Sequence, residues 1–502
     1  MEFSDFIERF KSTLYSLFNE QGDINELSLE RGLPKEILNK VMECQPLTVF
    51  IPEKYGGRGG KTAEALAMLE TSSYESLSLS LMMGINGALF LQPVANYGQE
   101  GIKQEVFTNF IADKKMGGLM ITEPDFGSDA LRMETSYRKN SVTGLYRVEG
   151  TKHWAGLTGN ADYWLITARK RNENDSLGRD ISFFIHDTSR GGIEVEEYFK
   201  NLGLYMIPYG RNKIDIEVPG EYKLESDSTG IKMMLDVLHR SRLQFPGMGM
   251  GFLRRMLDEA MEHCRQRFVG GKSLINYDQV RERISRLQSH FTVCSAMCSF
   301  TGENIPLTKD VSGMDLAANS IKTVTTDMMQ NAAQSLLQLM GAKGYRLNHV
   351  AGRSVVDSRP FQIFEGSNDI LYQQISESVL KKMRKFKTEN LYEFLNSHSL
   401  TQNATDYLKE LLNFKVDTQM AQHRLVELGR VISRIISMEY TLHLNEKGFN
   451  KELIQNTIDT LRADVEQMMT RFQNSGSAVV VENYQESSSW FDFVGSKQLV
   501  HT

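Results

Sequence analysis

One carboxylate in this chain has the surroundings of a general base. In the run Pro360-Phe361-Gln362-Ile363-Phe364-Glu365-Gly366-Ser367-Asn368-Asp369, Glu365 follows aromatic and aliphatic residues and precedes a glycine and three small polar ones. Apolar neighbours disfavour the ionised form and lift the pKa towards neutrality, and small residues let backbone amides approach a ligand. By itself the run also reads as an ordinary turn ending a strand or opening a helix. An earlier run, Met120-Ile121-Thr122-Glu123-Pro124-Asp125-Phe126-Gly127-Ser128-Asp129, joins an apolar strand to a proline-led turn with hydroxyls at Thr122 and Ser128. Cys294 and Cys298 have the i, i+4 spacing of a metal pair on a helix, but no second ligand pair accompanies them. They are read as packing residues, and no metal is expected. Gly247-Met248-Gly249-Met250-Gly251 follows no convincing strand and lacks the spacing of a dinucleotide fingerprint, so close helix packing is its reading.

The elements that must carry these residues change character along the chain. Residues 1–118 have helical periods, with Phe6, Phe10, Leu14 and Leu17 on one stripe. Residues 119–225 turn strand-like: Tyr163-Trp164-Leu165-Ile166-Thr167, Ile181-Ser182-Phe183-Phe184-Ile185 and Lys213-Ile214-Asp215-Ile216-Glu217-Val218 are short β-rich runs between glycine, asparagine and aspartate. They predict a small antiparallel barrel or sandwich. Residues 226–385 return to long helical periods without a proline between Pro246 and Pro306, as in a helix bundle. In residues 386–502, Leu425, Leu428, Val431, Ile432, Ile435 and Ile436 share one helical face, and Leu453, Ile458, Leu461, Val465 and Met468 suggest a further helix. Ser475-Gly476-Ser477 and Ser487-Ser488-Ser489 read as a link and a loosely held end. The predicted fold class is mainly α with a central β domain, and a chain of 502 residues calls for several domains.

Composition excludes some roles. Lysine plus arginine number 57 against 63 acidic residues, a formal charge of −6, which argues against a general nucleic-acid binder. Four cysteines do not form a secreted disulfide framework. Met1-Glu2-Phe3-Ser4-Asp5 has no charged-then-apolar leader, and no apolar run is expected to approach the roughly 20 residues that span a bilayer. A cytoplasmic location is the expectation.

Taken with Glu365 and the Thr122–Ser128 run, four more motifs carry a resemblance: Pro52-Glu53-Lys54-Tyr55-Gly56-Gly57, Gly150-Thr151-Lys152-His153-Trp154, Arg265-Gln266-Arg267-Phe268 and Gln338-Leu339-Met340-Gly341-Ala342-Lys343-Gly344-Tyr345. In this order they resemble the acyl-CoA dehydrogenase family of FAD-dependent enzymes. The resemblance implies an N-terminal helical domain, a small β-barrel and a C-terminal four-helix bundle, here followed by extra helices as in some long-chain members. It implies α,β-dehydrogenation of an acyl thioester, carried by coenzyme A or an acyl-carrier protein. Glu365 would take the α-proton while a hydride leaves the β-carbon for the flavin. An electron-transferring flavoprotein would be the acceptor, and a homodimer or homotetramer the assembly.

By the same resemblance Thr122, Ser128, Trp154, Gly156, Ser367 and Asp369 face the flavin, and Arg265, Phe268, Gln338 and Gly341 meet its adenosine half across a subunit interface. Ser128, Arg242 and Gly366 would meet the substrate. Some members place the base at the position of Ser241, which has no carboxylate, so Glu365 is favoured. The chain departs from the pattern at Gly156, where a hydroxyl residue is common, and Thr158 is the hydroxyl that would have to swing in. Val269-Gly270-Gly271-Lys272 reads as a short insertion. Gly84 and Gly87 share a helical face at the expected end of the acyl tunnel, and their lack of side chains predicts a medium-to-long acyl chain. The change at Gly156 keeps a second class open, an oxygen-using acyl-CoA oxidase or flavin monooxygenase relative. A non-catalytic binding or stress-response member is the third. The extension, with 11 basic and 15 acidic residues, lacks a polybasic anchor and is expected to pack on its own core or a twin subunit.

Overall fold

The computed structural model describes residues 1–494 apart from Thr418, Ser475, Ser477 and Ala478. The expected link at Ser475 and Ser477 therefore lies outside the described residues. The N-terminal helices are α1 (Phe3–Tyr15), α2 (Ile24–Leu27), α3 (Lys35–Glu43), α4 (Thr62–Glu75), α5 (Leu77–Asn86), α6 (Gln92–Tyr97) and α7 (Glu100–Ala112). Phe6, Phe10, Leu14 and Leu17 are all buried, as their helical period requires. A π-helical segment, Gly87–Leu91, joins α5 to α6. Leu77–Tyr97, 21 residues, is long and apolar enough to cross a membrane, contrary to the sequence expectation, but it runs buried through the protein's own core.

Seven strands follow: β1 (Gly117–Met120), β2 (Ser136–Lys139), β3 (Tyr146–Gly156), β4 (Tyr163–Arg171), β5 (Leu177–Asp187), β6 (Ile193–Tyr198) and β7 (Tyr209–Val218). They form one curled sheet in the order β1-β4-β2-β3-β7-β6, with β5 on β4. The pairs β2–β3, β3–β7, β6–β7 and β4–β5 are antiparallel as expected, but β1 and β2 both run parallel to β4. One continuous apolar strand, Tyr163 to Ala168, is covered on both faces and accepts partners of either direction.

The bundle is α8 (Gly230–Gln266), the hairpin β8 (Phe268–Val269) and β9 (Lys272–Ser273), then α9 (Asp278–Asn304), α10 (Asp315–Met340), α11 (Val350–Ser358) and α12 (Asn368–Phe386). Gly270 and Gly271 have φ of +57° and +83°, so the expected insertion is a two-residue hairpin turn built from glycines. The glycine run of α8 lies inside the helix and closes its packing. A Cβ at Gly247 would sit 2.9 Å from the Leu66 carbonyl oxygen, and one at Gly251 2.0 Å from that of Glu70. Cys294 lies against α8 with its Sγ 3.3 Å from the Pro246 carbonyl oxygen.

The C-terminal extension holds α13 (Leu391–Asn396), α14 (Lys409–Leu412), α15 (Gln422–Glu446) and α16 (Lys451–Asn474). It packs on its own core. The α15 stripe Leu428, Val431, Ile432, Ile435 and Ile436 is fully buried, the Ser376 hydroxyl of α12 donates to the Leu425 carbonyl at 2.6 Å, and Arg286 of α9 pairs with Asp464 of α16 at 2.9 Å. A Cβ at Gly429 would lie 1.9 Å from the Tyr372 carbonyl oxygen, so α15 and α12 touch backbone to backbone. Gly429→Ala should therefore lower stability by about 1–3 kcal/mol or more, whereas Gly101→Ala, with nothing within 4 Å, should lose nothing; denaturant unfolding of both variants checks the pair.

Candidate active site

Glu365 stands at a sharp bend between the 3-10 turn Arg359–Gln362 and α12. Its φ is +54° and that of Gly366 is +90°, a left-handed pair that costs the glutamate of order 1–3 kcal/mol. Two buried cations hold the bend. Arg242 Nε donates to the Glu365 carbonyl at 3.0 Å, and Lys322 Nζ donates to the Gly366 carbonyl at 2.8 Å and to Asn368 Oδ1 at 2.9 Å. Arg242 is fixed in turn by Asn319, 2.8 Å from its Nη1. The Ser241 hydroxyl donates to Glu365 Oε1 at 2.8 Å, while Oε2 has no partner among the described residues. Phe245, Phe361 and Phe364 pack their rings edge-on and tilted into an apolar wall at the turn, with centroids 4.9 to 6.2 Å apart.

Burial lifts the Glu365 pKa above the ordinary carboxylate range, and Ser241, Arg242 and Lys322 restrain the rise. The same burial pushes Lys322 down to about 7 and Arg242 down to about 10. A desolvated carboxylate with one oxygen hydrogen-bonded and the other free is arranged to accept a proton.

The opposite wall comes from the sheet. The Glu123–Lys152 ion pair, 2.9 Å long and buried, anchors the turn that bears Thr122 and Ser128. The Glu123 carboxylate also accepts from the Glu134 and Thr135 amides, and Lys152 donates to the Ile121 carbonyl and Thr167 hydroxyl. Burial works against ionising Glu123, but Lys152 and these donors outweigh it; burial brings Lys152 down to about 8. The Thr122 carbonyl then accepts from the His153 amide at 2.8 Å, tying the turn to β3 just before a bulge. At that bulge Trp154 has φ +56° and is 50% exposed, its ring 4.5 Å from Phe199 and 6.2 Å from Tyr209.

Gly156 pairs with Tyr209 across the sheet, and a Cβ there would meet Ile85 Cδ1 at 2.9 Å and Tyr209 Cε1 at 3.3 Å. The place of the missing hydroxyl residue is thus taken by Ile85 and Tyr209. Thr158 does not swing in: it is buried, donates to the Ala155 carbonyl at 2.7 Å and accepts from Asn212 at 3.0 Å. Burial raises the Tyr209 phenol, and the charges of Asp357 and Glu365 raise it further. The half-exposed indole at the bulge is a surface that a flat ring cofactor can lie on, and the unpaired Glu365 oxygen is open to a proton. Trp154, Thr122 and the backbone at Gly156 would hold that ring.

Other expected residues lie elsewhere. Arg265, Phe268, Gln338 and Gly341 are exposed together where α8 and α10 end, with His263 beside Leu339. This group lies sixteen residues along α10 from Lys322, about 24 Å. Asp369 pairs with Arg430 of α15 at 3.0 Å. Ser367 is the residue before α12 and its hydroxyl caps nothing. Ser128 is exposed on the turn. At the expected tunnel end, the Phe50 ring lies 2.3 Å from where a Gly87 Cβ would be, so Gly87 makes room for a core side chain, while Met248 Sδ is at ordinary contact, 3.6 Å, from that of Gly84. Sequence reasoning missed Lys322, Asn368 and Tyr209. Only the register Gly156–Tyr209 and the crossing of α10 beneath the turn bring them in. Among the described residues no group of three or more His, Cys, Asp or Glu could hold a metal.

Family models described as the acyl-CoA dehydrogenase N-terminal, middle and C-terminal domains match residues 8–114, 118–215 and 228–380. A short-chain-specific acyl-CoA dehydrogenase of Megasphaera elsdenii is 23% identical over 67% of this chain and 87% of its own. A very long-chain specific acyl-CoA dehydrogenase of Mus musculus is 21% identical over 74% of this chain, which spans only 57% of the mouse protein. The crystal structure of an acyl-CoA dehydrogenase from Bacillus anthracis complexed with FAD superposes with a TM-score of 0.75 at 18% identity, covering 94% of this chain and 89% of that one.

The raised pKa has a thermodynamic sign. A carboxyl whose folded pKa lies above its unfolded value penalises the folded state once the pH exceeds the unfolded value, near 4.3, and the penalty grows until the raised pKa is passed. Glu365→Gln should therefore melt higher than the wild type at pH 7.5 and show no such gain at pH 4; equal differences at both pH values would mean that the carboxylate is not desolvated.

Proposed function

The chain belongs to the acyl-CoA dehydrogenase family of FAD-dependent oxidoreductases, and from that premise we propose that it removes two hydrogens from the α- and β-carbons of an acyl thioester, giving the trans-2-enoyl thioester. The observation that carries this reading is Glu365 itself, buried in an apolar wall with Oε2 free and its backbone clamped by Arg242 and Lys322. Bound FAD supplies the hydride acceptor for the β-carbon. The residues do the rest. Glu365 takes the α-proton on Oε2, Ser241 keeps Oε1 in place, and the apolar wall of Phe245, Phe361 and Phe364 excludes water from the carboxylate. Among the described residues the Glu365 amide has no hydrogen-bond partner, which leaves it to donate to a thioester oxygen as enolate-like charge develops.

The finer reading is also ours. Straight-chain medium-to-long acyl-CoA is the first substrate to test, supported now by the helical extension alone, and an acyl-carrier protein is the other carrier of the same pantetheine arm. An electron-transferring flavoprotein is the proposed acceptor. A homodimer or homotetramer is supported by the open group Arg265, Phe268, Gln338 and Gly341, with Phe268 65% exposed, as a half-site for adenosine that a second copy completes. Four unpaired cysteines support a reducing, cytoplasmic setting. Gly156 favours a second reading, an oxygen-using relative, because Ile85 and Tyr209 stand where a hydroxyl residue is common. Peroxide formed in air without an added acceptor would select it.

Anaerobic titration of the flavin-loaded protein with acyl-CoAs of increasing length should bleach the oxidised flavin, and Glu365→Gln should slow that bleaching by about 100- to 10,000-fold. Bound flavin that no acyl thioester bleaches would sink the reading. Ser241→Ala removes a bond that favours the ionised carboxylate, so the acid limb of the rate should move to higher pH; a stationary limb would show that Ser241 does not hold the base.

A further inference from the structure

The C-terminal extension reaches the active site from behind. Arg434, on the buried face of α15 and itself 6% exposed, places Nη2 3.6 Å from Asp327 Oδ2 on α10. Asp327 is a junction. Its Oδ2 accepts from the Tyr372 hydroxyl at 2.6 Å, and its Oδ1 accepts from Gln362 Nε2 and Asn368 Nδ2, each at 2.7 Å. Asn368 turns its own Oδ1 to Lys322 Nζ at 2.9 Å, and Lys322 donates onward to the Gly366 carbonyl at 2.8 Å. An unbroken chain of contacts thus runs from the extension to the residue after Glu365. Gln362 and Asn368 flank Glu365 in sequence, so one carboxylate ties down both ends of the turn.

Arg434 is poorly explained by stability. Its Nε and Nη1 have no partner among the described residues, and its neighbours on α15, Val431 and Ile435, are fully buried and apolar. Replacing such a buried ion by a well-packed apolar side chain is often neutral or stabilising. What the guanidinium supplies is a countercharge beside Asp327, whose three hydrogen-bond donors are neutral, while Lys322, on the far side of Asn368, is a second cation acting on it. The other charged or titratable groups facing Arg434 are Tyr372 of α12, Asp464 of α16 and His290 of α9, the last held neutral by burial with its pKa near 3.

We propose that Arg434 of the C-terminal extension is a positioning residue for the reaction: through Asp327 and Asn368 it fixes the Lys322 ammonium beneath the Gly366 carbonyl, and so sets the place of the Glu365 carboxylate. This rests on Glu365 being the base. The extension is then a structural part of the active site, beyond its packing on the core, and a misplacement of the base by about 1 Å is enough to cost up to 100-fold in rate.

The test uses the full-length, flavin-loaded protein as wild type, Arg434→Met, Arg434→Lys, Asp327→Asn and Glu365→Gln. It reads the anaerobic rate of flavin bleaching by a saturating acyl-CoA against pH, the acyl-CoA half-saturation, and amide hydrogen exchange of the peptide containing residues 360–370. Arg434→Met should lower the limiting rate about tenfold or more with half-saturation changed less than about twofold, and should speed exchange in that peptide; Arg434→Lys should recover most of both. Asp327→Asn, nearly isosteric, should repeat the rate loss and move the acid limb to higher pH, because Lys322 loses a carboxylate that favours its charged form. It decides the matter if Arg434→Met does not hold flavin. A folded Arg434→Met or Asp327→Asn with wild-type rate and exchange, beside an inactive Glu365→Gln, overturns this proposal alone. Turnover by Glu365→Gln overturns the base assignment and this proposal with it.

Discussion

Two consecutive carbonyls, those of Glu365 and Gly366, are each pinned by a buried cation, and the rest of the site depends on that clamp. A glutamate at φ +54° does not hold itself there, since the left-handed region is unfavourable for a residue with a Cβ. Arg242 and Lys322 over-determine the bend by taking its carbonyls, and among the described residues the Glu365 amide and Oε2 have no partner. Gly366 cannot be replaced in this geometry. At φ +90° an added Cβ would also lie 2.9 Å from Leu371 and 3.2 Å from the Arg242 guanidinium. Backbone shape and electrostatics are therefore one device, in which the cations that fix the bend also restrain the pKa of the carboxylate it presents.

The sheet answers with a clamp of the same kind. Glu123 and Lys152 bury opposite charges that bond to backbone on both sides, and the turn bearing Thr122 is held against β3 where the bulge exposes Trp154. The two walls would be useless if free to slide. They are locked where the Leu204 amide donates to the buried Asp357 carboxylate at 2.6 Å, with Gly203 so close to the Val356 carbonyl that a Cβ would lie 2.2 Å from it. Arg353, from the same helix α11, reaches the Ile24 carbonyl at 3.2 Å and so draws the N-terminal helices into the same joint. Polar groups fully inside a protein favour a single arrangement when each is satisfied, because any slip leaves a buried donor or acceptor bare.

Local pattern was enough for much of this. The stripe of Phe6, Phe10 and Leu14, the stripe of Leu428 to Ile436 and the β-rich runs were legible because burial imposes their periods. Glu365 was legible because its apolar neighbours adjoin it in sequence. Lys322 was not: in Ser320-Ile321-Lys322-Thr323 it reads as a solvated lysine on a helix, and only the crossing of α10 beneath the turn buries it. Tyr209 was hidden for a similar reason, being brought to Gly156 by a strand register that sequence spacing does not specify. Gly87 is instructive in the other direction. A missing side chain signals that something else comes close, and at Gly87 it is the Phe50 ring. Parallel pairing of β1 and β2 on β4 was equally invisible, since a strand buried on both faces carries no signature of direction.

The clamp also shapes how the site responds to protons. Burial raises Glu365 and lowers Lys322 to about 7, while each favours the charged form of the other. Each of the two thus bears on the protonation of the other. Whatever favours the Lys322 ammonium therefore favours the Glu365 carboxylate. Asp327 does so by its charge, and Asn368 by the oxygen it offers to Lys322. Arg242 acts on both groups with opposite signs, favouring the carboxylate directly and disfavouring the ammonium beside it. Glu365 and Lys322 thus stand in a balance with Arg242 and Asp327, and Arg434 lies 3.6 Å from Asp327. Asp327 touches Asn368, Asn368 touches Lys322, and Lys322 touches the Gly366 carbonyl, so a charge placed two side chains away from the Glu365 turn acts on it through a buried, hydrogen-bonded path.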